Sequence, residues 1–178
     1  MRFDRVPARS PERDCVHVII DTPAGSANKY KFDDELGVFR VSRVLAAGLT
    51  FPHDFGSIPG TCAADGDPLD VLVIGLPPTF PGCLITARLI GMLRARQTEG
   101  GKSIRNDRLI GVGLTPVNPS PIRKLQDLES RQLTDIEHFF KSYNEAQGRR
   151  FNITGRGDRN SAQAALERAI RAHQRGQD

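Results

Sequence analysis

The chain has no tryptophan, only two tyrosines and three cysteines, and no long apolar run among its 178 residues. Aromatic residues make up 6% of it, and no basic stretch is interleaved with them, which argues against a base-stacking nucleic-acid surface. Cys15, Cys62 and Cys83 are odd in number, widely spaced and free of any C-x-x-C pattern. Neither a disulfide framework nor a zinc knuckle is expected from them. Nothing approaches the roughly 20 apolar residues of a membrane-spanning helix. The basic start MRFDRVPARSPERD has no apolar segment behind it, so no secretory signal is expected. These absences predict a cytoplasmic protein with reduced thiols and no membrane partner. The sequon Asn152-Ile153-Thr154 and the triplet Arg156-Gly157-Asp158 then read as chance. His17, His53, His138 and His173 lack zinc-protease spacing.

What is present is a chain of ordinary globular size and charge, expected to form one domain over residues 1–178. Lys and Arg exceed Asp and Glu by 25 to 21, a formal +4 that supports an anionic partner only weakly. The first half reads as strands. Cys15–Asp21, Asn28–Phe32, Val38–Val44, Leu69–Gly75, Leu84–Leu93 and Leu109–Leu114 carry extended, β-rich patterning. Proline-rich loops interrupt at Leu76–Gly82 and Pro116–Pro121. Gly100-Gly101-Lys102-Ser103 imitates the end of a Walker A loop, but Arg96 stands where its first glycine belongs, so a hairpin tip is the better reading. Helix is confined to the second half. Leu133, Ile136, Phe139, Phe140 and Tyr143 recur at helical spacing, with Thr134 and Glu137 as a capping box and Gly148 as a stop. A second helix, Ser161–Arg175, is expected to be capped by Asn160. Strands first and helices last predict an α+β fold, a small barrel flanked by two C-terminal helices.

The sharpest chemical feature is Asp65-Gly66-Asp67-Pro68-Leu69-Asp70. Three carboxylates fall within six residues, with no Lys or Arg between Phe51 and Ile74 to neutralise them. If the backbone is extended across Asp65–Asp67, those two side chains share a face and repel unless a proton or metal lies between them. Hard oxygen ligands of this kind suit Mg²⁺, which pairs readily with phosphate. The plain alternative is a surface turn rich in Asp and Gly. An EF-hand is excluded, since its glycine and closing glutamate positions hold Asp70 and Leu76. Lys29 and Arg43 are the candidate phosphate donors, Arg43 sharing a strand face with Phe39 and Val41. Tyr143 lies on an apolar helix stripe and reads as core before ligand.

The stretch DGDPLDVLV resembles the D-x-D-P-x-D signature of family I soluble inorganic pyrophosphatases. VIIDTPAGSANKY at Val18–Tyr30, FPHDFGSI at Phe51–Ile58, Pro81-Gly82 and His138-Phe139-Phe140…Tyr143 fall in the family's order. The resemblance spans about residues 15–170 and implies a five-stranded OB-like β-barrel with two helices, assembled as a homo-oligomer, a hexamer in bacteria. It implies Mg²⁺ ligation by Asp65 and Asp70, with Asp67 as general base on the attacking water. Asp21, where the family has Glu, joins the metal set, and Lys29, Arg43, Arg108 and Tyr143 hold the phosphates of pyrophosphate.

Departures accompany the likeness. Phe51 and Phe55 replace tyrosines, Lys31 replaces an acidic residue, and Asn144 replaces a lysine. An ungapped register on Leu109–Val112 puts Asn106 where a metal-binding Asp belongs, Arg108 where a Lys belongs, and the other Asp near Gln97. Glu99 or Asp107 substitutes if the hairpin register differs. Three readings follow: a Mg²⁺-dependent diphosphatase, a non-catalytic binder of a phosphorylated ligand, and a nucleic-acid module on an OB-like barrel. The intact Asp65, Asp67 and Asp70 favour the first.

Overall fold

The computed structural model describes residues 3–12, 14–115 and 119–176. Of the proline-rich loop expected at Pro116–Pro121, Pro116, Val117 and Asn118 lie outside the described residues. The first half holds β1 (Cys15–Thr22), β2 (Asn28–Asp33), β3 (Val38–Val44), β4 (Asp54–Ile58) and β5 (Leu69–Ile74). There follow β6 (Leu84–Glu99), β7 (Lys102–Arg105), β8 (Arg108–Leu114), α1 (Ser130–Glu145), β9 (Arg150–Gly157) and α2 (Arg159–Arg175).

Strand β1 pairs with β4 and β6, β4 with β5, β5 with β8, and β8 with β6. Five strands therefore pair around a barrel-like ring, the α+β, OB-like architecture expected. Only β5–β8 is parallel within it, and both strands are near-continuous apolar runs, as burial on two faces demands. Alternation sorts the ring's side chains into two cores. Val18, Ile58, Val71, Leu89 and Leu109 belong to one, joined by Ala162, Ala165, Leu166 and Ala169 of α2. Phe55, Leu72, Ile90 and Ile110 belong to the other, covered by Leu133, Ile136, Phe139, Phe140 and Tyr143 of α1.

Several boundaries differ from expectation, each for a physical reason. Strand β6 was expected to end at Leu93, yet it runs to Glu99. A register shift between Leu89 and Gly91 lets it bend away from β1 and continue against β9 and β7. Strand β9 was not expected at all, because Gly155 and Gly157 break its alternation. Thr134 and Glu137 form no helix start: Thr134 sits inside α1 and its hydroxyl donates to the Ser130 carbonyl at 3.0 Å. The chain enters α1 through a 3₁₀ turn at Leu125–Asp127, with Leu125 and Leu128 already buried. Helix α2 is capped by Asp158, whose carboxylate accepts the Ser161 N–H at 2.8 Å, and Asn160 lies in the helix. Gly100 and Gly101 turn the β6–β7 hairpin with positive φ, the hairpin tip predicted for them.

The hairpin β2–β3 forms a sheet of its own. The rings of Phe3, Phe32 and Phe39 cluster on it, with centroids 4.6 to 5.9 Å apart. Tyr30 N–H donates to the buried Thr22 hydroxyl at 3.0 Å, tying the hairpin to the end of β1.

Candidate active site

The acidic segment is a turn, not the extended stretch on which convergence of Asp65 and Asp67 was expected. Gly66 has φ 88°, in the left-handed region that a side chain disfavours. The Asp67 N–H points back at the Asp65 carboxylate at 3.3 Å, and the Ala63 N–H donates to the Asp67 carbonyl at 2.8 Å. The buried hydroxyl of Thr61 accepts the Leu69 N–H at 2.9 Å and donates to the Ile58 carbonyl at 2.6 Å, locking the turn onto β5. Asp70 then falls inside β5 opposite Ser57 of β4.

The carboxylates nevertheless feel one another. Burial pushes Asp21 up to about 7, the Asp70 charge adds to the rise, and Lys29 and Lys31 pull it back. Burial also raises Asp65, with Asp70 and Asp67 adding to the rise against the pull of the Asp67 N–H and Arg108. Four acidic groups from β1 and the β5 turn thus share one electrostatic neighbourhood.

Cations face them from other elements, so the acidic run is not unneutralised as its local sequence suggests. Lys31 Nζ lies 3.2 Å from Asp67. Arg108 Nη1 lies 2.6 Å from Asp70. Arg108 is only 6% exposed and its guanidinium sits 5.5 to 5.9 Å from the ring centroids of Phe55, Phe140 and Phe151. Burying a guanidinium is costly unless it is paired, and Asp70 and the rings offset that cost. Lys29 and Arg43 are cross-strand partners on β2 and β3. Lys29 Nζ stands 5.5 Å from the Phe55 ring and 5.7 Å from the Tyr143 ring. Among the described residues, Arg43 holds one buried guanidinium nitrogen with no hydrogen-bond partner, as does Arg108 at Nε. Unpartnered buried donors suit an anion.

The uncertain hairpin positions separate cleanly. The Asn106 side-chain amide donates to Gln97 Oε1 at 3.0 Å, and its carbonyl oxygen accepts from Arg108. Asp107 instead accepts the Ala95 N–H at 3.0 Å and pairs with Arg105 at 2.6 Å. Glu99 pairs with Arg149 at 2.9 Å. Of the three side chains, that of Asn106 is the one linked through Arg108 to Asp70. Tyr143 is buried, stacked on Phe139 and close to Phe51, and it meets the site through Lys29 over its ring.

Two contributors were not singled out as site residues in the sequence. Lys31 lies two positions after Lys29, which puts both on one strand face, and that spacing is the signal that finds it. Buried Asp54 accepts the Ala24 N–H at 2.8 Å and the Thr79 hydroxyl at 2.6 Å, holding the loop after β1 against the loop before β6. Among the described residues, no three His, Cys, Asp or Glu side chains are already gathered for a metal ion.

An OB-like strand ring bearing coupled carboxylates opposite half-buried cations defines a class, an α+β protein with a site suited to a small polyanion. The family model described as Inorganic pyrophosphatase matches residues 18–174. An inorganic pyrophosphatase of Synechocystis sp. is 38% identical over 171 residues, covering 96% of this chain and 98% of the relative. One from Geobacillus stearothermophilus is 42% identical over 142 residues, covering 80% and 84%. The crystal structure of inorganic pyrophosphatase from Thermus thermophilus superposes with a TM-score of 0.88 at 31% identity, covering 98% of this chain and 99% of that one. The chain belongs to the family I inorganic pyrophosphatases.

Proposed function

We propose that this chain hydrolyses inorganic pyrophosphate to two orthophosphates with a divalent cation, Mg²⁺, as cofactor. What supports the reading is the acidic set of Asp21, Asp65, Asp67 and Asp70, in which burial and the charges of Asp70 and Asp67 push up Asp21, to about 7, and Asp65, beside Lys29 and its cross-strand partner Arg43. A carboxyl so disfavoured in its charged form calls for positive charge beside it, and the hard oxygens of this set fit Mg²⁺. Asp21, Asp65, Asp70 and the carbonyl of Asn106 would hold the ion. When bound, it supplies charge neutralisation and a more acidic water.

The side chains do the rest. Asp67 accepts the proton of the attacking water, whose oxygen forms the new bond to phosphorus as the bridging P–O bond breaks. Lys29 and Arg43 meet the charge that develops on the departing phosphate, and their forked and compact donors fix its orientation. Arg108 holds Asp70 and Asn106 in place through Nη1. Tyr143 supports Lys29 through its ring.

Replacing Asp67 with Asn keeps the shape and removes the base. The D67N variant is expected to release phosphate about 100-fold or more slowly than wild type, and equal rates would take Asp67 out of the mechanism. A second reading, a weakly active or inactive binder, is favoured by one feature, the neutral Asn106–Gln97 pair beside Arg108. Binding of pyrophosphate without any release of phosphate would establish it. Self-association is part of the proposal: Leu36, Val38, Val41 and Val44 of the β2–β3 hairpin expose apolar side chains, and light scattering tests it.

A further inference from the structure

Beside the acidic turn runs a cleft that shares Asp65, Asp70, Asn106 and Arg108 with the hydrolytic site proposed above, but whose α2 wall pyrophosphate hydrolysis does not use. A cavity of about 430 Å³ lies between residues 62–70, the turn before β8, and the C-terminal half of α2. Lys29, Arg43 and Tyr143 do not line it. Its floor is small, formed by Ala165, Ala169 and Ala172, which keeps the space open. The Cys62 N–H donates to the Ala169 carbonyl at 3.0 Å, fixing α2 at a set distance from the acidic turn.

Five arginines and three aspartates line this space. Arg105 and Arg108 are taken by Asp107 and Asp70. Arg168, Arg171 and Arg175 are not; no ion pair or hydrogen bond engages them among the described residues. Other charges of the same helix are matched: Glu167 pairs with Arg9, and Arg159 with Asp14. Residues 168, 171 and 175 follow at spacings of three and four, so the three cations stack along one helix face. Like charges in that arrangement weaken a helix unless an anion lies between them. The unmatched row therefore coincides with the cavity.

The spacing also selects the anion. Successive arginines are offset by about 4.5 and 6 Å along the axis. A compact single anion reaches one or two of them, whereas a linear chain of charged groups runs past all three. Guanidinium forks match phosphoryl oxygens two at a time. We propose, resting on the function proposed above, that the α2 wall of this cleft is an accessory site for a linear chain of at least three phosphoryl groups, held by Arg168, Arg171 and Arg175. Two sources share that chemistry, inorganic polyphosphate and the triphosphate of a nucleotide.

The test is calorimetric binding of inorganic tripolyphosphate to the full chain in EDTA, beside orthophosphate and ATP. Tripolyphosphate is expected to bind at least about tenfold more tightly than orthophosphate, because it meets more forks. The variant R168A/R171A/R175A is expected to weaken tripolyphosphate binding by about tenfold or more. Alanine is the best helix former, so α2 itself is not at risk. A control variant with the same loss of charge, R123A/R131A/R150A, is expected to change binding by less than about twofold. ATP binding as tight as tripolyphosphate assigns the nucleotide source, and ATP binding much more weakly assigns the inorganic chain. The proposal is overturned if both triple variants weaken binding alike, if neither does, or if a single-stranded oligonucleotide binds more tightly than tripolyphosphate. Pyrophosphate hydrolysis in R168A/R171A/R175A is expected to stay within about twofold of wild type. A chain that binds tripolyphosphate through these arginines but never hydrolyses pyrophosphate would leave the cleft standing and remove the hydrolase reading.

Discussion

The two flanks of the site solve opposite problems. On the flank of β1 and the β5 turn, the charges of Asp70 and Asp67 add to the burial that raises Asp21 and Asp65, and Asp67 and Asp70 reach cations from distant strands. On the flank of the β6–β8 region, the groups that reach Asp70 through Arg108 are the amides of Asn106 and Gln97, joined at 3.0 Å. The first flank stores negative charge; at the matching position the second offers the neutral Asn106, while its charged Asp107 and Glu99 are paired with Arg105 and Arg149. Arg108 is the joint, because its guanidinium contacts Asp70 on one side and Asn106 on the other. Removing a charge on one flank and adding one on the other should therefore have opposite consequences.

The largest effect is expected at the joint. The R108M variant leaves Asp70 without its counter-charge beside three aromatic rings, and chemical denaturation should register a loss of about 2–4 kcal/mol. The double variant R108M/D70N should recover part of that loss, and additive losses would deny the coupling.

Adding charge to the neutral flank comes next. N106D is expected to tighten Mg²⁺ binding by about tenfold, since ligand charge sets affinity at such sites. A Mg²⁺ titration identical to wild type would remove Asn106 from the metal site.

The crowded flank also predicts a pH dependence in metal-free protein. Folding raises the Asp21 pKa to about 7 from its ordinary value of 3.8, so the folded chain binds a proton there that the unfolded chain has lost. Stability contributed by that proton is fully present below about pH 4 and is lost as pH rises through about 7. Thermal melts in EDTA should show wild type losing stability relative to D21N between pH 5 and 8, where the pKa lies. Parallel curves for the two would contradict the burial of Asp21 beside Asp70. The smallest effect belongs to Lys31: its pair with Asp67 is exposed on both sides, so K31Q should change stability by less than about 1 kcal/mol.

Much of this was legible in the chain itself. The α1 stripe from Leu133 to Tyr143 and the ring strands announce themselves by period, because each has one uninterrupted buried face. The acidic sextet and the Lys29–Arg43 pair were legible as chemistry. Its local geometry was not: an Asx-type contact and the positive φ of Gly66 turn a segment that Pro68 alone suggests is extended. Neutralisation was hidden for a different reason. Lys31 and Arg108 are 36 and 38 residues from their aspartates, and pairing over that distance is decided by strand order, not by neighbours in sequence. Strand β9 was masked by its glycines, and the cap of α2 by two plausible capping residues, Asp158 and Asn160, two positions apart.

The central claim, that crowded aspartates serve a divalent cation during cleavage of pyrophosphate, is tested most directly by phosphate release from pyrophosphate across a Mg²⁺ titration. Release that rises with Mg²⁺ and vanishes in EDTA is the predicted result. Release that persists undiminished in EDTA, or none at any Mg²⁺ concentration, would contradict it.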